Sequence, residues 1–284
     1  MEYLILAIIT STIIFVLFKF FGYFRIDIAQ AITVNYLVAT LAGYLSAPVS
    51  FQQALNKPWI LYAVISGVLL LVTFIVYAVS TQKVGIAITS VSGKMSVVIP
   101  VLFGFLMFHE AATWMRITGI VLALAAFYMT LMRTTAQKAQ MRYFILPLLL
   151  FLGNGCNDSL FKIVQGHFVK DDYTNYLTIA FFVSLILGLI IVALQILVKK
   201  KKVLLRSIIA GIILGLLNWY STYFFLVGMR YFDVSVFVPV FNVSIVVIAA
   251  LIGFLFYREK LSTINILGIL LAVISIVLIS GIGF

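Results

Sequence analysis

The sequence predicts an all-α membrane protein with ten transmembrane helices arranged as two inverted five-helix repeats. Three observations lead there. Hydrophobic residues make up 64% of the 284 positions and charged residues 10%, with a mean hydropathy of +1.24. A soluble surface needs roughly a quarter to a third of its positions charged, so this chain cannot cover one. The apolar residues fall in ten runs long enough to cross a bilayer, separated by short polar breaks. The second half of the chain then repeats the first after an odd number of spans. The same composition excludes a disordered chain, which needs low hydrophobicity. The single cysteine, Cys156, excludes a disulfide scaffold.

Spans are expected at 2–21, 29–47, 58–81, 85–108, 112–132, 143–165, 174–198, 205–228, 233–257 and 262–283. Helices are forced, because hydrocarbon offers no partner for backbone N–H and C=O groups. A β-barrel would show short alternating segments instead of continuous runs such as 60–79. The first span opens Met1-Glu2-Tyr3, without a basic start, and reads as a retained helix rather than a signal peptide. The connections are short and leave no soluble domain.

The net charge of +11 follows the positive-inside rule rather than a nucleic-acid surface. Loops after odd-numbered spans, with their flanks, hold 13 of the 19 basic residues, and loops after even-numbered spans hold 4. The remaining two, Lys94 and Lys162, lie within spans. The odd-numbered loops are therefore expected in the cytoplasm and both termini outside. The lysines at 199–202 read as this topology signal, with a lipid-phosphate contact as the alternative.

Shifted by 149 residues, the third to fifth spans fall on the eighth to tenth without a gap. Thr73 meets Thr222, Gly104-Phe105-Leu106 meets Gly253-Phe254-Leu255, Glu110 meets Glu259, and Gly119-Ile120 meets Gly268-Ile269. The earlier spans follow at other shifts: Leu17-Phe18-Lys19 resembles Leu160-Phe161-Lys162, and Asn35-Tyr36-Leu37 resembles Asn175-Tyr176-Leu177. The repeats are expected at 1–137 and 138–284. Five is odd, so the second copy enters the membrane upside down, which is the physical basis of alternating access around a midplane site.

Five plus five helices, the glutamate-bearing turn Glu259-Lys260-Leu261-Ser262, and the pattern Gly155-Cys156-Asn157-Asp158-Ser159-Leu160-Phe161-Lys162 together resemble the EamA-type transporters of the drug/metabolite transporter superfamily. The resemblance covers essentially the whole chain. It implies a single-chain carrier with a central cavity, commonly exporting amino acids, other metabolites or toxic compounds. The first span departs from the pattern with Thr12 and Ile14 in place of Gly and Asn, and His109 or Arg258 stands where a Gly usually precedes the turn glutamate.

A charge at the bilayer centre costs at least ~2.5–3.5 kcal/mol on insertion scales, so buried ones need a reason. Lys94 lies roughly 15 Å into the fourth span. It is either a cationic anchor for a substrate carboxylate or phosphate, an ion-pair partner of Asp158, or a lysine left neutral by burial. Ser90, one turn away, joins it as a candidate binding residue. Asp158 lies roughly 24 Å from the cytoplasmic start of the sixth span. There it could carry a coupling proton, or pair with Lys162 one helical turn on. Asn154 and Asn157, and Thr10-Ser11-Thr12 in the first span, read either as cavity groups or as helix–helix hydrogen bonds.

Asn218, Trp219 and Tyr223 fall near mid-membrane in the eighth span and suggest a pocket wall for an apolar or cationic substrate, with core packing as the alternative. Trp59 and Trp114 read as interfacial. Asn242 aligns with Gly93, beside Lys94, so the halves differ where a site is expected. Pro100 and Pro239 remove backbone donors and read as bends or hinges. Lys19 and Lys162 read as structural or gating residues, as do Glu110 and Glu259 at helix ends.

No zinc-protease pattern, nucleophile elbow or Walker loop is present. The expected function is therefore a secondary active transporter, not an enzyme: an exporter of a small organic metabolite such as an amino acid, in a bacterial-type inner membrane. A channel-like or facilitative pore, and an exporter of amphipathic or cationic compounds, are the alternatives. Expected partners are the lipid bilayer, a small-molecule substrate and a proton, with no cofactor, no metal and no nucleic acid, and the chain acting as a monomer.

Overall fold

In a computed structural model of the protein, residues 2–46, 51–54, 56–107, 113–132, 143, 145–168, 173–228, 231, 234–259 and 261–280 are described. Glu110 and Lys260 lie outside the described residues. The chain folds into α1 (Glu2–Tyr23), α2 (Ile28–Ser46), α3 (Phe51–Ala54), α4 (Ile60–Lys83), α5 (Ile86–Met95), α6 (Val98–Met107), α7 (Trp114–Leu131), α8 (Ile145–His167), α9 (Tyr173–Leu197), α10 (Leu205–Gly228), α11 (Val234–Leu255) and α12 (Thr263–Ser280). Among the described residues there is no strand.

These helices fill the ten expected spans, with α5 and α6 sharing the fourth and the short α3 standing outside them. Nine of the ten, counting 86–107 as one, are long and apolar enough to cross a membrane. The tenth, α8, is diluted by Asn154, Asn157, Asp158 and Lys162. Its apolar side is nonetheless continuous: Leu148, Leu149, Leu152 and Cys156 are exposed at helical spacing, on the face turned to lipid.

The fourth span is broken where a single helix was expected. Pro100 explains the break. Its ring collides with the carbonyl four residues back, that of Ser96, and it has no N–H to give. Tighter bonds carry the junction instead, from Val97 N–H to Lys94 O (3.4 Å) and from Ile99 N–H to Ser96 O (2.9 Å). Pro239 lies inside α11, which continues through it.

Close glycine contacts fix how the halves meet. A Cβ on Gly119 would lie 2.9 Å from Ile279 N, and one on Gly268 would lie 2.9 Å from Thr130 N. Each residue of the second contact is the first contact's counterpart 149 positions away, so α7 and α12 pack antiparallel about a two-fold axis. Gly43 faces Thr178 and Gly188 faces Thr33 in the same reciprocal way between α2 and α9. Their spacing is 145 residues. This corrects the match of Asn35-Tyr36-Leu37 with Asn175-Tyr176-Leu177, whose shift of 140 is not the spatial equivalence. The second repeat is thus inverted relative to the first. The remaining packing obeys the same axis: α2 lies against α10 as α9 lies against α4, and α1 against α10 as α8 against α4.

The two ends of the bundle differ in chemistry. At one, which we term the basic face, Lys201 pairs with Asp27 (2.8 Å), Lys19 with Glu259 (3.0 Å), and Lys83 stands over the Tyr143 ring. Residues of the loops after the first, third, seventh and ninth spans gather there. At the other end Tyr3 stacks on Tyr231 and Tyr62 lies against Phe168. Trp114 is exposed near this end as an interfacial residue would be, whereas Trp59 is 1% exposed and set edge-on against Tyr176.

Candidate functional site

A cavity of ≈ 340 Å³ lies at the centre of the bundle, walled by both repeats. Its wall follows the two-fold axis. Phe18 and Phe161, Tyr36 and Phe181, and Tyr77 and Leu226 line it from equivalent positions. Aromatic residues make up nearly half of the wall, with phenylalanine coming from each of α1, α4, α8, α9, α10 and α11. The described charged residues that line it are Lys94 and Asp158. Their repeat counterparts are Val243 and Phe15, so the charge breaks the symmetry that the backbone keeps.

Lys94 occupies the last turn of α5, at the break in the fourth span. A cation is favoured at that helix end, where unpaired carbonyls and the helix dipole concentrate negative potential. Its Nζ stands 4.9 Å from the centre of the Phe241 ring, a cation–π distance. Asp158 is accessible from within the cavity. The two charges are close enough to act on each other but form no direct ion pair. Lys162 does not pair with Asp158 either; its Nζ donates to Pro100 O (3.4 Å), across to the second half of the fourth span.

Hydroxyl and amide groups complete the floor and sides. Ser11 and Ser221 share a hydrogen bond of 2.6 Å that ties α1 to α10. Asn218 lines the cavity and donates from Nδ2 to Asn35 Oδ1 (3.2 Å). Tyr36 donates to Leu70 O (2.8 Å), and the Tyr77 hydroxyl accepts a short hydrogen bond from Asn154 Nδ2. The Tyr77 hydroxyl also presses on Gly93, at a place where a Cβ would collide with it. Glycine beside Lys94 is therefore what lets the tyrosine approach.

The other sequence candidates fall elsewhere. Ser90 is fully buried and donates to Ala87 O (2.8 Å), inside its own helix. Asn157 is buried among helices, with Oδ1 unpartnered among the described residues. Trp219 packs against the hydrophobic core, Tyr223 is exposed beside Phe224, and Asn242 is half-buried. None of these five lines the cavity.

Sequence reasoning missed Tyr36, Tyr77 and Ser221. A tyrosine far from either end of its span is a usable signal, because the residue normally anchors at the interface. The cavity phenylalanines carried no signal, since phenylalanine is ordinary anywhere in such a chain.

The cavity reaches toward the face opposite the basic one, up to Tyr173 at the start of α9 and Leu226 near the end of α10. Toward the basic face it stops at Phe18. Immediately beyond, Lys19 donates to Glu259 Oε1 and to Thr81 O (3.4 Å), while Glu259 accepts from Ile86 N–H (2.8 Å) and Ala87 N–H (3.2 Å). The arrangement can hold a small solute with opposite charges or an apolar body, and it is closed on one side. Among the described residues no three His, Cys, Asp or Glu side chains come together as a metal site would need.

Comparison with known proteins places this architecture. The profile of the EamA-like transporter family matches residues 2–132 and 161–281. The chain belongs to the EamA-like transporter family. The two matched stretches fall in the two repeats, and the second begins after Asp158, so the family profile does not extend over that carboxylate. A Haemophilus influenzae protein described as uncharacterized is 28% identical, over 97% of this chain and 96% of its own length. A solved crystal structure superposes with a TM-score of 0.61 at 14% identity, covering 96% of this EamA-family chain and 95% of the other, and shows the same fold. The chain is accordingly an integral multi-pass membrane protein of a transporter family.

Proposed function

We propose that this chain is a secondary active transporter, an exporter of a small organic metabolite such as an amino acid, working by alternating access. The observation that carries the reading is the asymmetric charge pair, Lys94 and Asp158, in a cavity at the junction of two inverted repeats. A zwitterion offers its carboxylate to Lys94 and its ammonium to Asp158, and the phenylalanine wall receives an apolar side chain. Asp158, which lines the cavity and has no ion pair among the described residues, is the group through which a proton would be coupled. The closed basic face supports a carrier over an open pore. The cavity-lining Asn218, with Ser11, Ser221 and Tyr77, belongs to the substrate site on this reading, which is of a carrier and not of an enzyme.

The basic-loop count supports a bacterial-type inner membrane location with the basic face in the cytoplasm and both termini outside. The repeats divide near residue 137, and the chain acts as a monomer. The aromatic wall with one carboxylate favours a second reading, an exporter of amphipathic cations. Counterflow in proteoliposomes tests all of these. Unlabelled amino acid trapped inside is expected to drive transient accumulation of the labelled one, in a saturable way. Flux that never saturates and shows no counterflow would establish a pore. Counterflow with quaternary amines, and none with amino acids, would establish the second reading.

A further inference from the structure

The ion pair on the basic face and the charged centre of the cavity are the two ends of one short helix. Glu259 comes from the second repeat, and its partners all come from the first: Lys19 of α1, whose Nζ also takes the Thr81 carbonyl of α4, and the first two N–H groups of α5. The carboxylate is seated between two glycines. A Cβ on Gly253 would lie 2.6 Å from Oε2 and one on Gly85 would lie 2.8 Å from it; Gly85 also holds φ +116°, which other residues rarely adopt. Helix α5 is ten residues long, about 15 Å, with an anion at its N-terminus and Lys94 in its last turn. The break at Ser96 and Val97 uncouples it from α6.

We propose that Glu259 is both the latch of the basic face and the positioning residue for Lys94, so that gate and binding site move as one unit. Opening the basic face must part the two repeats there. Parting them breaks the Lys19–Glu259 pair and draws the Glu259 carboxylate off the α5 N-terminus. With that anchor gone, α5 pivots at its break and carries Lys94 away from Phe241. The inference rests on the alternating-access reading for its purpose, but its test needs no transported solute.

The experiment places single reporter cysteines in a Cys156→Ser background, in oriented membrane vesicles, with an impermeant methanethiosulfonate reagent. Ser221→Cys reads the gate and Lys94→Cys reads the far end of α5, while Lys200→Cys marks the basic face. With the latch intact, both cavity reporters are expected to react from the opposite face. Lys19→Met and Glu259→Gln are each expected to speed labelling from the basic face about tenfold at both reporters. Glu259→Ala, which also removes the helix cap, is expected to do so most at Lys94→Cys. Unchanged sidedness at both reporters in the Lys19→Met and Glu259→Gln proteins overturns the latch. Access gained at Ser221→Cys but not at Lys94→Cys overturns the coupling. Lys19→Met leaves the Glu259–α5 hydrogen bonds in place, so it answers the question if the Glu259 variants fail to fold. A failed counterflow assay alongside changed sidedness would count against the transport reading and leave the latch standing.

Discussion

Lys94 and Asp158 line one cavity without forming an ion pair, and on the proposed reading a zwitterionic ligand bridges them. A lysine in direct contact with a carboxylate would have spent its charge. Here Lys94 Nζ stands over the Phe241 ring, a contact that a substrate carboxylate would outcompete. A charge-assisted hydrogen bond contributes about 1.5–3 kcal/mol. Lys94→Gln is therefore expected to weaken binding of a carboxylate-bearing ligand by about tenfold or more, read by calorimetry with an amino-acid panel, with the melting temperature kept. Undiminished affinity in a folded variant would remove Lys94 from the site. Asp158→Asn is expected to abolish acceleration of uptake by an imposed pH gradient, and to leave counterflow detectable but with weakened substrate affinity. Transport that still follows the gradient in that variant would exclude Asp158 as the coupling group. Both residues were legible in the sequence because a charge deep in an apolar run is costly and conspicuous. Ser90 and Asn157 looked equally polar, but small polar groups satisfy themselves within or between helices at little cost, and position along the chain does not reveal which way they point.

The elements were legible almost to the residue where hydrophobic runs end in charge, as at α10 and α1. The fourth span was not, because Pro100 breaks it with apolar residues on both sides and hydropathy registers no interruption. That break has two consequences: it gives Lys94 a helix end to occupy, and it leaves α5 short enough to act as a lever. The helix pairs on the two-fold axis depend on glycine. Gly119→Val and Gly268→Val each drive side-chain atoms into backbone and side chains of the facing helix, at Ile279 and Thr130 respectively. Each is expected to cost about 1–3 kcal/mol, the range for overpacking a filled interface, and to lower the melting temperature in detergent by similar amounts. Strongly unequal losses would mean that the two contacts are not symmetry mates.

Taken as a whole, the protein is closed on the face where the Lys19–Glu259 and Lys201–Asp27 pairs lie and hollow toward the other. On the proposed alternating-access reading, with the basic face cytoplasmic, this is the outward-facing arrangement, and exchanging the two repeats would generate the inward-facing one. In the Cys156→Ser background, Asn56→Cys is expected to react with an impermeant thiol reagent on intact cells, and Lys200→Cys only after the membrane is opened. The reverse pattern would invert the assignment of faces and the direction of the state described.

Residue order and composition were enough for the class, the ten spans, the five-plus-five repeat and the basic asymmetry. Each follows from how residues partition between water and hydrocarbon, and that is decided locally along the chain. Tertiary structure alone decided which polar residues meet. A helical side chain turns by about 100° per residue, so its direction depends on how each helix is rotated against its neighbours. The glycine contacts between the repeats set that rotation. The packed arrangement turns Asn218 and Tyr77 toward the cavity, leaves Trp219 and Tyr223 outside it, and brings Glu259 across 240 positions of chain to Lys19.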